Sequence, residues 1–411
     1  MISWLKYTKM LYKHQQDLID KNPNKWLLAW GTGSGKTLAA ITLAKKKGGP
    51  ALIICPKSLV EQWKEQVPSD WLVLSKEIFK KLSPELPKYN TIIVDEFHYF
   101  SNFKSQMTKS LLIYIKNYQP ENIYGLTATP YLSTSWNIYT YGKIFGKDWS
   151  WVQWNKRYFY QVRMGFRMVP QPKKIIDNLP LDKEIARLVN TIGNTVALED
   201  CFDVPEQIFQ VERFSLTVEQ KKAINELTDI QPIVLWTHIH EICGGTLKLD
   251  EYQDEKVAYF KSDKTDRCLD LISEHNKIVV ICRYNAEIDM LASKVKNKKV
   301  YIIRGDIKNR HEVVGLAEND TNCVVFIQGA CSEGYELPSF PIMVFYSYDF
   351  SLKNYVQIIG RILRANHLKK NVYISLVVSK TVDEDIWDTV ANKKMDFQAE
   401  IYGKKSSCGV G

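Results

Sequence analysis

Two tandem α/β units, each on a parallel sheet, are the fold this sequence predicts, and three observations predict it. Short apolar runs alternate with helical stretches in the first half, the same rhythm returns in the second half, and one Gly-rich turn joins a strand directly to a helix. The first set of strands is Trp26–Trp30, Ala51–Cys55, Trp71–Leu74, Thr91–Val94 and Asn122–Leu126. The second is Lys277–Cys282, Val300–Ile303, Cys323–Ile327, Ile342–Tyr346 and Asn371–Val378. Between them, roughly from Tyr131 to Asp266, the rhythm is lost, and Pro170-Gln171-Pro172 marks the start of a connector. The expected organisation is a first lobe over 1–168, a connecting segment over 169–205, a second lobe over 206–403 and a loose tail over 404–411.

A length of 411 residues is enough for two or three domains with their own cores. Hydrophobic content of 45% and charged content of 25% are those of a globular protein. No apolar run reaches the ~20 residues of a membrane span, and Met1-Ile2-Ser3-Trp4-Leu5-Lys6 lacks a secretory pattern. The eight cysteines are scattered without a C-x-x-C pair, and Cys55, Cys282 and Cys323 sit in apolar runs. That usage points to reduced, buried thiols, a cytosolic setting and no zinc. A net charge of +9 suits a polyanionic partner without requiring one.

The chemistry is concentrated in two strings. Gly31-Thr32-Gly33-Ser34-Gly35-Lys36-Thr37 follows the first strand and opens a helix. Glycines there let backbone N–H groups close around phosphate oxygens, and the helix N-terminus adds positive potential. Lys36 is placed to reach the β/γ-phosphates and the Thr37 hydroxyl to ligate Mg²⁺. Asp95-Glu96-Phe97-His98 follows the Thr91–Val94 strand, 59 residues after Lys36. Asp95 is expected on the metal and Glu96 on a water that attacks the γ-phosphate. The pair predicts a nucleotide triphosphatase.

In the second half no glycine cradle follows the matching strand, which runs into Cys282-Arg283-Tyr284-Asn285. Near the end, Gln357-Ile358-Ile359-Gly360-Arg361-Ile362-Leu363-Arg364 has a helical pattern. Arg361 and Arg364 then share one face, with Gln357 a turn earlier. They fit arginine fingers on developing γ-phosphate charge, and equally a solvated basic face.

With these motifs in order, the chain resembles the superfamily 2 helicases and translocases, most closely the Swi/Snf-type branch in the compact, phage-encoded form. Leu11-Tyr12-Lys13-His14-Gln15 looks like the Q motif, with Gln15 as adenine reader. Gly31–Thr37 matches motif I, Cys55-Pro56-Lys57-Ser58-Leu59 with Gln62-Trp63 motif Ia, and Leu74-Ser75-Lys76 motif Ib. Asp95–His98 matches motif II and Leu126-Thr127-Ala128-Thr129-Pro130 motif III. Ile281–Tyr284 resembles motif IV, Gln328-Gly329-Ala330 with Glu333–Leu337 motif V, and Gln357–Arg364 motif VI. The resemblance implies two RecA-like lobes with the ATP site in the cleft between them, ATP and Mg²⁺ as cofactors, and Gly334 and Glu336 near the nucleotide. It implies nucleic-acid contacts, mainly to the backbone, at Pro56, Lys57, Ser58, Ser75, Lys104, Arg283, Gln328 and Gly329. His98, Thr127 and Thr129 would couple the two sites. The function implied is a DNA helicase or translocase acting on single-stranded, duplex or branched DNA. The alternatives are an RNA helicase and an ATP switch that remodels a protein partner. A monomer in a bacterial host's cytosol, away from membranes, completes the expectation. The sequence departs from the pattern at Trp30, where a small residue is usual, at Glu336, where Asp or Asn is common, and at His367, where Gln is usual.

Trp149, Trp151, Trp154, Tyr158 and Tyr160 with Arg157 and Arg163 fit a base-stacking platform. The spacing of Trp151, Trp154 and Tyr158 fits a buried helix stripe better. His238, His240 and Cys243 lack the second ligand pair a metal site needs.

Overall fold

The computed structural model describes residues 11–130, 135–164, 167–197, 206–228, 230–251, 254–307, 309–331, 335–363 and 370–390. The chain divides into two compact units after residue 203.

The first unit is built on six strands: β1 (Lys25–Trp30), β2 (Ala51–Cys55), β3 (Leu72–Ser75), β4 (Thr91–Val94), β5 (Asn122–Leu126) and β6 (Gly193–Val196). Their order is β6-β1-β5-β4-β2-β3, and every pairing is parallel. Parallel strands need crossovers, here helices such as Lys36–Lys47, which follows β1 in the chain and leads to β2, and Gln106–Tyr118 between the neighbours β4 and β5. Helices on both faces explain why β2 and β4 are buried at every position and read as unbroken apolar runs. Phe97, Tyr141 and Ile185 belong to the core on one face, and Trp30, Leu43 and Trp63 to the core on the other.

The connector expected over 169–205 is largely structured and completes this sheet. Helix Leu181–Ile192 buries Ile185, Val189 and Ile192, an apolar stripe that anchors it. It leads into β6, which pairs with β1 from Leu27↔Gly193 to Trp30↔Val196. Gly-Asn-Thr-Val is too short and polar to read as a strand. The glycine is required by close approach, since a Cβ on Gly193 would lie 2.1 Å from the Leu27 carbonyl oxygen. Within the same unit, helix Trp151–Tyr158 turns Trp154 and Tyr158 inward and leaves Trp151 packed against Phe103 and Tyr139. This is the core reading of the aromatic block.

The second unit carries β7 (Gln207–Phe214), β8 (Lys277–Cys282), β9 (Lys299–Ile303), β10 (Cys323–Gln328), β11 (Ile342–Phe345) and β12 (Asn371–Val378). They form a parallel sheet in the order β7-β12-β11-β8-β10-β9. Beneath it lies a buried charge. Lys264 is fully buried, its Nζ 2.7 Å from Asp383 Oδ2. The same carboxylate oxygen accepts from the Val378 N–H at 2.9 Å. His240 Nε2 lies 3.4 Å from Asp383 Oδ1, so this histidine faces a carboxylate. Among the described residues no group of three His, Cys, Asp or Glu could hold a metal.

Burial pushes the Asp383 carboxyl up, but the Lys264 ammonium and His240 outweigh it and hold it at about 2. The folded value lies below the unfolded one. The stabilisation is therefore present above about pH 4 and is lost as pH falls towards the folded value. Asp383→Ala strands a buried ammonium and should cost about 3–5 kcal/mol in urea unfolding at neutral pH. A loss below about 1 kcal/mol would mean that Lys264 finds another partner or water.

Candidate active site

The strand order brings the predicted motifs to one edge of the first sheet. β1 and β4 flank β5, so the Gly-rich loop, the Asp95-Glu96 pair and Thr127-Thr129 all leave the carboxyl ends of three neighbouring strands. That edge is where open α/β sheets bind ligands.

The loop's first turn is built without the usual small residue. Trp30 is the last residue of β1 and fully buried, and its indole N–H donates to Asn194 Oδ1 at 3.0 Å. Trp26, four residues earlier on the same face of β1, donates to the same oxygen at 2.8 Å. The Gly31 N–H then donates to the Val196 carbonyl at 2.8 Å. Strand pairing therefore runs one residue into the loop, and the β6 edge carries its start. Gly33 and Gly35 have φ of 81° and 80°, a left-handed conformation that side chains disfavour. Helix Lys36–Lys47 starts directly after Gly35.

An anion cradle needs N–H groups turned inward, so its carbonyls must find donors elsewhere. Lys36 Nζ donates to the Trp30 and Gly31 carbonyls at 2.9 and 3.0 Å. Ser34 Oγ also donates to the Gly31 carbonyl, at 2.7 Å. His14 Nε2 lies 2.9 Å from the Ser34 carbonyl, and Gln15 Nε2 donates to the Gly35 carbonyl at 3.0 Å. Gln15 is 1% exposed. Thr37 is half-buried at the start of the helix.

Asp95 is fixed by two donors: Trp63 Nε1 at 2.9 Å on Oδ2 and the Glu96 N–H at 2.9 Å on Oδ1. Burial, and then the charge of Glu96, push its carboxyl up to about 6 against those hydrogen bonds and the Lys36 ammonium. Glu96 has a positive φ of 47° and its Oε2 lies 3.2 Å from His98 Nδ1. The same His98 nitrogen is 3.4 Å from Thr127 Oγ1, and the Thr129 N–H donates to that hydroxyl at 3.1 Å. Thr127 thus closes a local turn and touches His98 at once. Trp63, His14 and Asn194 are the supports that sequence reading did not identify. Trp63 and His14 stood inside quoted motifs, whereas Asn194 carries no local signal.

In the second unit, β11, β8 and β10 are adjacent, and a cavity of about 210 Å³ opens at their carboxyl ends. Arg283, Gly329, Tyr348, Asp349 and Asn354 line it. Arg283 and Gly329 therefore line one cavity. The Arg283 N–H donates to Ser347 Oγ at 2.8 Å, and Gln328 Oε1 accepts from the Gly305 N–H at 3.3 Å. Gln357 is buried on helix Leu352–Ile359, and Glu336 is exposed. That helix ends at Ile359, so Arg361 does not sit on it as expected. Instead the Arg361 carbonyl accepts from the Leu337 N–H at 2.8 Å, and its Nη1 donates to the Tyr335 carbonyl at 2.8 Å. These tertiary bonds turn the chain out of the helix. Gly334, Arg364 and His367 lie outside the described residues.

Of the expected backbone contacts in the first unit, Lys57, Ser58 and Lys104 are exposed and Pro56 is buried ahead of the turn Lys57–Leu59. Ser75 is buried, and its hydroxyl caps helix Lys76–Leu82 by accepting from the Ile78 N–H at 3.3 Å. A cap explains it without a ligand.

The helicase conserved C-terminal domain family is matched over residues 261–366. A candidate helicase, 109L, of Invertebrate iridescent virus 3 is 28% identical over 192 residues, 39% of this chain and 56% of that protein. A candidate DNA 3'-5' helicase, Rad25, of Halobacterium salinarum is 26% identical over 237 residues, 46% of this chain and 38% of that protein. The chain thus spans about half or less of the length of these relatives. The SWI2/SNF2 ATPase core of Sulfolobus solfataricus in complex with double-stranded DNA aligns over 96% of this chain and 93% of its own, at 16% identity and a TM-score of 0.39.

Asn194→Ala should be costly for its size, because two indole N–H groups lose their acceptor, one of them fully buried. A loss of about 1–3 kcal/mol in chemical denaturation is expected. A change under about 0.5 kcal/mol would show that β6 does not carry the loop through this residue.

Proposed function

We propose that this chain, which matches the helicase conserved C-terminal domain over residues 261–366, is an ATP-dependent DNA translocase or helicase of the Swi/Snf type in superfamily 2. The observation that carries the reading is the convergence of Lys36, Thr37, Asp95 and Glu96 at one edge of the first sheet, on a loop whose carbonyls are held away from the cradle. Lys36 and the loop N–H groups bind the triphosphate. Thr37 and Asp95 offer the hard oxygen ligands that suit Mg²⁺, and the buried, raised Asp95 carboxyl favours a cation beside it. Held there, Mg²⁺ would supply positive charge against the phosphate oxygens. Glu96 orients the attacking water, and His98 with Thr127 and Thr129 relays the state of Glu96 to the nucleic-acid contacts.

We assign Arg361 to the chemical step, together with Gln357 and Arg364, and Gly334 and Glu336 to the nucleotide. Pro56, Lys57, Ser58, Lys104, Arg283, Gln328 and Gly329 grip the nucleic-acid backbone, which positions a strand without reading its sequence. The relative named as a DNA helicase favours DNA over RNA.

Lys36→Ala should abolish turnover and weaken ATP binding. Glu96→Gln should abolish turnover while ATP still binds, since shape and metal ligands survive. Steady-state hydrolysis near wild type by either variant would sink the assignment.

Arg361→Ala should cut the nucleic-acid-stimulated rate by roughly 10³-fold with little change in ATP affinity, as expected of a group acting in the transition state. Arg361→Lys, which keeps the charge, should recover part of it. A rate within a few-fold of wild type would leave Arg361 a purely structural tie to Tyr335.

ATPase rates measured in parallel with single-stranded, duplex and forked DNA and with RNA test the substrate class. Stimulation by DNA that weakens steeply with salt and ignores base sequence is expected. Stimulation by RNA alone, or none by either, overturns the DNA reading.

A further inference from the structure

Gln15 stands where the resemblance places an adenine reader, yet both ends of its amide are committed to the protein. Nε2 donates to the Gly35 carbonyl at 3.0 Å, and Oε1 accepts from the Tyr12 N–H at 3.0 Å. The amide's orientation is forced, because a backbone carbonyl must face its NH₂ and a backbone N–H its oxygen. A carboxamide that reads adenine presents an adjacent donor and acceptor to the N7 and N6 edge. Here that pair is already in use, on a side chain 1% exposed.

The next side chain does the same to the next carbonyl. His14 Nε2 lies 2.9 Å from the Ser34 carbonyl oxygen, and the imidazole ring stands edge-on to Trp30 with centroids 4.9 Å apart. Two consecutive residues of helix Lys13–Lys21 therefore hold two consecutive carbonyls of the loop. The fit is close. A Cβ on Gly35 would fall 2.3 Å from Gln15 Nε2, on a residue whose φ of +80° already disfavours one.

We propose that His14 and Gln15 form a brace that positions the phosphate loop through the Ser34 and Gly35 carbonyls, and that Gln15 serves every nucleoside triphosphate alike instead of selecting adenine. Gln15 is a positioning residue in this account. The proposal rests on the triphosphatase reading above and deepens it, since base selection must then come from elsewhere or be weak.

The experiment compares kcat/KM for ATP, GTP, CTP and UTP, and inhibition by inorganic tripolyphosphate, in wild type, Gln15→Ala and Gln15→Glu. Gln15→Ala should lower all four values by one common factor, on the order of 5–10-fold, the size of one or two lost hydrogen bonds. Tripolyphosphate, which carries no base, should lose affinity by a similar factor, a readout that a smaller folded fraction does not move. Gln15→Glu keeps the acceptor for the Tyr12 N–H and the side-chain volume but replaces the donor to Gly35 by a carboxylate oxygen, so it should lower all four values by one common factor at least as large. It also serves if the alanine variant folds poorly. A loss confined to ATP, with tripolyphosphate inhibition unchanged, overturns the brace and restores the adenine reader. A wild type that hydrolyses none of the four nucleotides overturns the triphosphatase reading itself.

Discussion

A phosphate cradle made of backbone needs its carbonyls held by donors, so that they do not face the anion. In the loop Gly31–Lys36 those donors come from several parts of the first unit. Lys36 and Ser34 hold the Trp30 and Gly31 carbonyls from within, and His14 and Gln15 hold Ser34 and Gly35 from the preceding helix. The strand β6, about 160 residues later in the chain, holds the loop's first N–H and the indole beneath it. Unpaired carbonyls in that ring would present negative charge to an incoming triphosphate. The site is therefore a property of the whole unit.

The same logic governs the acidic pair. Asp95 is buried beside Glu96, a costly arrangement that raises its carboxyl. Trp63 and the Glu96 N–H hold each oxygen in place. A tryptophan from the helix after β2 thus fixes a carboxylate at the end of β4, and the short chain Glu96–His98–Thr127 continues to the end of β5. Three neighbouring strands share one polar line. In the second unit the ends of β8, β10 and β11 converge in a comparable way around Arg283 and Gly329. Buried polar ties run through that unit, among them Lys264 with Asp383 and Glu287 with Ser347 and the Tyr284 N–H.

Central strands were legible because burial on both faces leaves a continuous apolar run, as in Ala51–Cys55 and Thr91–Val94. Two of the four edge strands were not: Gly193–Val196 and Gln207–Phe214 pair on one side only and carry polar residues, so neither stands out as an apolar run. The loop and the acidic pair were legible because phosphate chemistry demands fixed residue types at short spacing. What sets their geometry was hidden, because Asn194 acts on Trp30 across 164 positions. The helical pattern of Gln357–Arg364 misled at Arg361 for a related reason. Local periodicity cannot register that Tyr335 and Leu337 claim Arg361 and end the helix at Ile359. Ser75 likewise matched a contact motif while serving as a cap.

A crystal structure with a non-hydrolysable ATP analogue and Mg²⁺ is the most direct test of this account. The β-phosphate should sit within the Gly33–Lys36 N–H groups, the metal between Thr37 and Asp95, and the Gln15 amide still on the Gly35 carbonyl. A triphosphate bound away from this loop, or a Gln15 amide withdrawn from Gly35 to the nucleobase, would contradict it.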